Sequence, residues 1–273
     1  MKTRWYFVVL SYAIIFLALI VFLFPIVWLF LGSFKPASEV LIVSLPTNPS
    51  LKSYEEVLSN FPVGLYLRNS LGLAVVSTVG SVALGSLAAY SLMRYKYLAR
   101  QPILIVTLLM RMLPGIALGV PLFLLFSQIK LTNTFLGLVL AHAAIQLPLV
   151  IWIMLSFFED LPPELEDAAF VDGCNRANVI YYVILPIATP GLAVASIFAF
   201  LISWNNFDLS LILATTPQLL TMPVGMSQLN LLYGVRWDLL SAAAVMYIVP
   251  TIVLALLLQR YIVRGLTMGA VKG

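Results

Sequence analysis

Long apolar stretches separated by short polar ones set the pattern of this chain. Runs without Asp, Glu, Lys or Arg cover Trp5–Phe34, Asn69–Met93 and Leu131–Phe158, with further apolar stretches at about Pro102–Ile129, Ile187–Leu213 and Leu239–Gln259. A helix needs ~20 apolar residues to cross a bilayer, so each stretch is long enough for one span. Pro25 is expected to kink the first. In the second, Ser77, Ser81, Gly85 and Ala89 recur every four residues, a small face on which another helix can pack closely in lipid. Arg111 and Leu113-Pro114-Gly115 interrupt the third, which predicts a broken helix whose freed backbone groups must line protein or water. The interval 35–68 holds Pro36, Pro46, Pro49 and Pro62 and reads as an exposed loop, with a short helix near Tyr54–Leu58. The interval 214–238 reads as a second polar loop. The expected fold is all-α and polytopic, with six transmembrane helices.

One polar segment departs from the pattern. Glu159, Asp160, Glu164, Glu166, Asp167 and Asp172 crowd the short interval between the fourth and fifth spans. Pro162 and Pro163 suit a first helical turn, which has no use for their missing N–H groups. The acids that follow favour a helix N-terminus. Gly173 is placed to end the helix at a position needing positive φ, and Asn175 can cap a second helix running toward Pro186. Leu165, Ala168, Ala169 and Asp172 share one small, mostly apolar side at helical spacing. That side is expected to let another protein approach.

Composition narrows the class. The chain is 62% hydrophobic and 10% charged over 273 residues, which points to a membrane protein rather than a soluble domain. One Cys and one His exclude a disulfide framework or a Cys/His metal cluster. The Walker A, lipase-elbow and H-E-x-x-H patterns are missing, so nothing in the sequence signals an enzyme. With six spans, Lys2, Arg4, Arg94, Lys96, Arg100, Arg176, Arg260, Arg264 and Lys272 fall on one side, against Lys35, Lys52, Arg68, Lys130 and Arg236 on the other. This asymmetry predicts that both termini and the acidic segment are cytoplasmic.

Asp167-Ala168-Ala169, three residues, Gly173, nine residues and Val183-Ile184-Leu185-Pro186 resemble the E-A-A…G…I-x-L-P loop of ATP-binding-cassette importer permeases. Asp stands for the usual Glu and Val for Ile. Asn69-Ser70-Leu71, Asn133-Thr134 with Gly137, Phe157-Phe158, Trp204-Asn205 and the ending Arg264–Gly273 resemble the carbohydrate branch, the maltose-type G subunit above all. The resemblance implies a type-I transmembrane core over 67–262, preceded by a first helix and external loop (1–66) and followed by a cytoplasmic tail (263–273) that reaches the ATPases. It implies a coupling loop at 159–186, with Leu165, Glu166, Asp167, Ala168, Ala169, Gly173 and Pro186 docking on an ATPase. Its implied partners are a homologous permease, two ATPase subunits holding ATP and Mg, an extracytoplasmic solute-binding protein and membrane lipid, with no nucleic acid. No cofactor is expected on this chain. The setting would be the inner membrane of a prokaryote and the cargo a sugar or polyol. Relatives carry Trp-Asn-Glu where this chain has Trp204-Asn205-Asn206.

Candidate solute-path residues are Arg111 and Pro114 at the expected break, His142 and Gln146 one turn apart, and Asn205, Asn206 and Asp208 near the far end of span five. His142 and Gln146 serve equally well as bonds between helices. Other readings stay open: an amino-acid or peptide permease of the same family, and a stand-alone secondary transporter. The latter needs ionisable groups at midplane, and only Arg111, His142 and Asp208 qualify.

Overall fold

The computed structural model describes the backbone of residues 5–95, 98–233 and 235–270, with side chains at 230–234, 258 and 260–270 left aside. Every regular element among the described residues is helical. In order these are α1 (Trp5–Gly32), α2 (Lys52–Asn60), α3 (Val63–Arg94), α4 (Arg100–Met112), α5 (Gly115–Gln128), α6 (Phe135–Glu159), α7 (Glu164–Val171) and α8 (Arg176–Asn178). A six-residue π-helix (Val179–Ile184), α9 (Leu185–Ile187), α10 (Thr189–Trp204) and α11 (Asp208–Leu213) follow. A 3₁₀ turn (Pro217–Leu219), α12 (Met222–Tyr233) and α13 (Trp237–Ala270) complete the chain.

Four of these helices, α1, α3, α6 and the Trp237–Leu257 part of α13, are long and apolar enough to cross a membrane. Two bent pairs bring the number to six if each is one span: α4 with α5, bent by 105°, and residues 176–187 with α10, bent by 78°. The first bend follows from Pro114, which donates no N–H and holds Leu113 extended at φ −74°, ψ 129°. Before the second bend, Pro186 withholds the N–H that the preceding turn would accept, and the helix adjusts by a π stretch. Span five is shorter than the sequence suggests: α10 stops at Trp204, and residues 205–207 separate it from α11.

The chain forms two compact units. One joins residues 1–64 with 225–250, the other residues 65–224 with 251–273. Residues 225–250 thus group with the N-terminal segment. In the first unit, α1 has no buried residue before Gly32, so its apolar surface is open to lipid or a partner. The interval after it is more ordered than an exposed loop. Lys35 is buried, its Nζ donating to Ile42 O at 2.7 Å and lying 5.0 Å from the Trp28 ring centroid. Arg236 bridges Glu56 of α2 and Asp238 of α13 at 3.1 and 2.7 Å. These two acids hold the guanidinium pKa above its ordinary value, Asp238 most strongly. A polar recess of about 410 Å³ opens here, lined by Lys35, Ser50, Lys52, Glu56, Arg236 and Asp238 among others. The expected second polar loop likewise contains a helix, α12.

In the second unit, α3, α6 and α10 build the main core around Ala89, Val150, Met154, Phe158, Ala195 and Ala199. The expected small face of α3 lies within it: a Cβ on Gly85 would stand 2.6 Å from Val150 Cγ1. A second cluster gathers Leu73, Phe126, Leu138, Leu209 and Leu213 from α3, α5, α6 and α11.

Candidate functional site

The acidic segment folds locally as its residues dictate. Glu166 N donates to Pro163 O in the first turn of α7. At the other end Gly173 takes φ +85°, with Gly173 N donating to Phe170 O and Cys174 N to Ala169 O, both at 3.0 Å. This is the Schellman pair of bonds. Asn175 Oδ1 then accepts from Asn178 N at 2.9 Å and starts the next helix. A rigid eight-residue helix with a fixed exit results.

Its faces differ from the sequence expectation. Ala169 is 7% exposed and Glu166 3% exposed, both turned into the chain's own core, with Leu165 half-buried. Ala169 therefore belongs to packing and not to the outward surface. The outward residues are Asp167, Ala168, Phe170, Val171 (87% exposed) and Asp172. Pro186 is exposed as well, beyond the π stretch.

Glu166 is fixed by the end of α3. Arg94 Nε lies 2.9 Å from Glu166 Oε2, and Tyr90 Oη donates to the same oxygen at 2.9 Å. Arg94 also approaches Asp167 Oδ1 at 3.7 Å, and the Tyr90 ring stands edge-on to Phe158 of α6. On the exit side, Arg176 donates to Tyr95 Oη at 2.6 Å. The sequence offers no direct sign of this arrangement, because the partners are distant along the chain.

A buried polar seam crosses the second unit. Ser81 Oγ donates to Gln146 Oε1 (2.5 Å), and Gln146 Nε2 to Ser77 Oγ (2.9 Å). Ser77 Oγ lies 3.2 Å from Ser203 Oγ, which lies 2.8 Å from His142 Nδ1. His142 Nε2 is 3.2 Å from Ser210 Oγ. All six side chains are buried, so α3, α6, α10 and α11 are joined by one run of satisfied hydrogen bonds. His142 and Gln146 are thus brought together, bonded to serines on other helices. Ser203 and Ser210 escape sequence reasoning because isolated serines in apolar runs carry no pattern.

The remaining path candidates gather at helix breaks. Arg111 is exposed in the last turn of α4 and forms no ion pair with a described residue. Gly115, the first residue of α5, has Asp208 Oδ2 3.0 Å from where a Cβ would sit, so the break in span three meets the break after α10. An anion at the start of a helix is favourable there. Asn206 Oδ1 accepts from Leu209 N in the first turn of α11, and exposed Asn205 donates back to Leu201 O.

The other motif residues hold loops. Asn69 Nδ2 donates to Gln218 O and Leu220 O, and Ser70 Oγ accepts from Met222 N. Asn133 Oδ1 accepts from Thr215 N and Thr216 N, while Thr134 caps α6 through Gly137 N.

Residues 81–268 match the family described as binding-protein-dependent transport system inner membrane component. The chain belongs to this family. It is an importer permease, a membrane transport subunit rather than an enzyme. The permease is 35% identical to the sulfoquinovosyl glycerol transport system permease protein SmoH of Agrobacterium fabrum, across 92% of this chain and 89% of that one. It is 36% identical to the trehalose/maltose transport system permease protein MalG of Thermococcus litoralis, across 93% of each. Its fold is similar to a chain of a bacterial ABC transporter involved in the import of the acidic polysaccharide alginate, with a TM-score of 0.78, 20% identity and coverage of 96% and 98%. The architecture is therefore that of a type-I importer transmembrane domain, all-α and polytopic, set in a prokaryotic membrane.

Proposed function

We propose that this permease moves a sugar or polyol across the cytoplasmic membrane, in a complex with a homologous permease, two ATPase subunits and an extracytoplasmic binding protein. The carbohydrate class rests on relatives named for sulfoquinovosyl glycerol and for trehalose and maltose. ATP and Mg belong to the ATPases. In this reading the chain's termini and α7 face the cytoplasm, which the Lys/Arg asymmetry supports.

One observation carries the coupling role. Helix α7 presents Ala168, Val171 and Asp172 outward on a short scaffold whose exit is fixed by Gly173. Such a knob can seat in a groove and transmit displacement in either direction. Asp167, Ala168 and Gly173 act in docking and geometry, while Glu166, Ala169 and Leu165 hold the helix to the permease body. Binding-protein contact falls to the segments around the recess at Lys52, Glu56 and Arg236. The solute path runs by the helix breaks, with Arg111, Pro114, Asn205, Asn206 and Asp208 beside it. His142 and Gln146 brace the helices that form its wall. The test is Val171→Asp in the complex that co-purifies with this chain. It should release the ATPases or abolish their stimulation by loaded binding protein. Wild-type retention and stimulation would remove α7 from the docking role.

A further inference from the structure

The end of α3 touches the α7 loop twice, on entry and on exit. Glu166 is almost fully enclosed, and its carboxylate meets both Arg94 Nε and Tyr90 Oη at 2.9 Å. Past Gly173, Arg176 donates to Tyr95 Oη at 2.6 Å, with its guanidinium 5.4 Å from the ring centroid. A buried carboxylate is tolerated only with its partners in place, so Glu166 cannot slide freely against Arg94. Arg94 stands in the last turn of α3, where a cation also suits the helix dipole. By covalent connection alone, α7 would pull on α6 through residues 160–163 and on α10 through the π stretch. The ion pair adds a third and more direct attachment.

The small face of α3 continues it. Ala89 and Gly85 pack against α6, and Ser81 and Ser77 bond to Gln146 and Ser203. A displacement entering at Glu166 therefore reaches α6 and α10 through α3. These are packed elements joined by satisfied polar contacts, which move together rather than deform.

We propose that Glu166, Arg94 and Tyr90 form a clamp that carries motion of α7 into α3, making them positioning residues for coupling. The proposal rests on the docking role of α7 given above. Its test is hydrogen exchange on the purified complex, with and without ATP plus orthovanadate. In the wild type, trapping should slow exchange in residues 164–173 and change it in the second half of α3. Glu166→Gln keeps the shape and a hydrogen-bond acceptor for Tyr90 but removes the charge. It should preserve the protection of 164–173 and remove most of the change in α3. Arg94→Gln also breaks the pair but leaves the Glu166 carboxylate enclosed without its counter-charge, so it should reduce the α3 change and in addition loosen 164–173, and Arg94→Lys should restore a substantial part of the response.

A merely structural role for Glu166 would raise exchange in α7 before nucleotide is added and leave the nucleotide-dependent change in α3 intact, and that result would overturn the proposal. So would a full α3 response in Glu166→Gln. If the wild type shows no protection at 164–173, the docking role itself fails, which is a separate outcome.

Discussion

Gly173 and Ala169 show how single positions in α7 divide between shape and packing. At φ +85° Gly173 occupies a region that costs a side chain ~1–2 kcal/mol. Gly173→Val should leave the permease in the membrane and reduce ATPase retention in pull-down, whereas wild-type retention would reject the fixed-exit account. Ala169 has its methyl in the core, so Ala169→Arg should act through lost packing of α7. Protease sensitivity of the 159–186 segment should rise even without ATPase subunits; unchanged sensitivity would put Ala169 back on the outward face. Gly137 is constrained by space instead, since a Cβ there would fall far inside van der Waals contact with the backbone oxygen of Leu131. His142 and Gln146 sit in the seam at 0% exposure. Gln146→Leu leaves Ser77 and Ser81 without their amide partner, and polar contacts between membrane helices average ~0.6 kcal/mol. A modest drop in the detergent-solubilised Tm is expected, and no drop would show that the seam does not brace the helices.

Among the elements, the two bent pairs matter most. Leu113-Pro114-Gly115 announces the first break because proline chemistry is local, and α4 and α5 duly meet at 105°. That Asp208 approaches Gly115 is not local, since it requires α11 to lie beside α5. Arg111, exposed at the break, is expected to influence transport more than assembly. Arg111→Leu should yield intact complex with lower uptake of the solute that the binding protein carries. Unchanged uptake would assign it a snorkelling or partner-facing role.

For the whole molecule, the charge asymmetry gives a topology that labelling can check. In a Cys174→Ser background, a membrane-impermeant maleimide added to intact cells should modify Ser50→Cys but not Asn178→Cys. The opposite pattern would place α7 outside and end the coupling proposal. The tail is a further case: α13 continues as helix to Ala270, while the side chains of 260–270 and all of residues 271–273 lie outside the described residues. Deleting 266–273 should weaken ATPase retention; wild-type retention and transport in the truncated protein would remove the tail from that interface.

The sequence by itself determined the all-α membrane class, most span positions, the break at Pro114 and the start and stop of α7. Each rests on apolar run length or on proline, glycine and asparagine chemistry within a few residues. It also carried the family, through the spacing from Asp167 to Pro186. Only the tertiary structure decided which side of α7 faces inward, because that depends on Tyr90 and Arg94, more than seventy positions earlier. The same holds for the seam, where His142 and Gln146 gain meaning from serines on three other helices. It holds too for Lys35 and Arg236, charged residues that a reading of hydropathy leaves in open loops. Periodicity along the chain reports whether a face is apolar, and contacts between distant segments settle what that face meets.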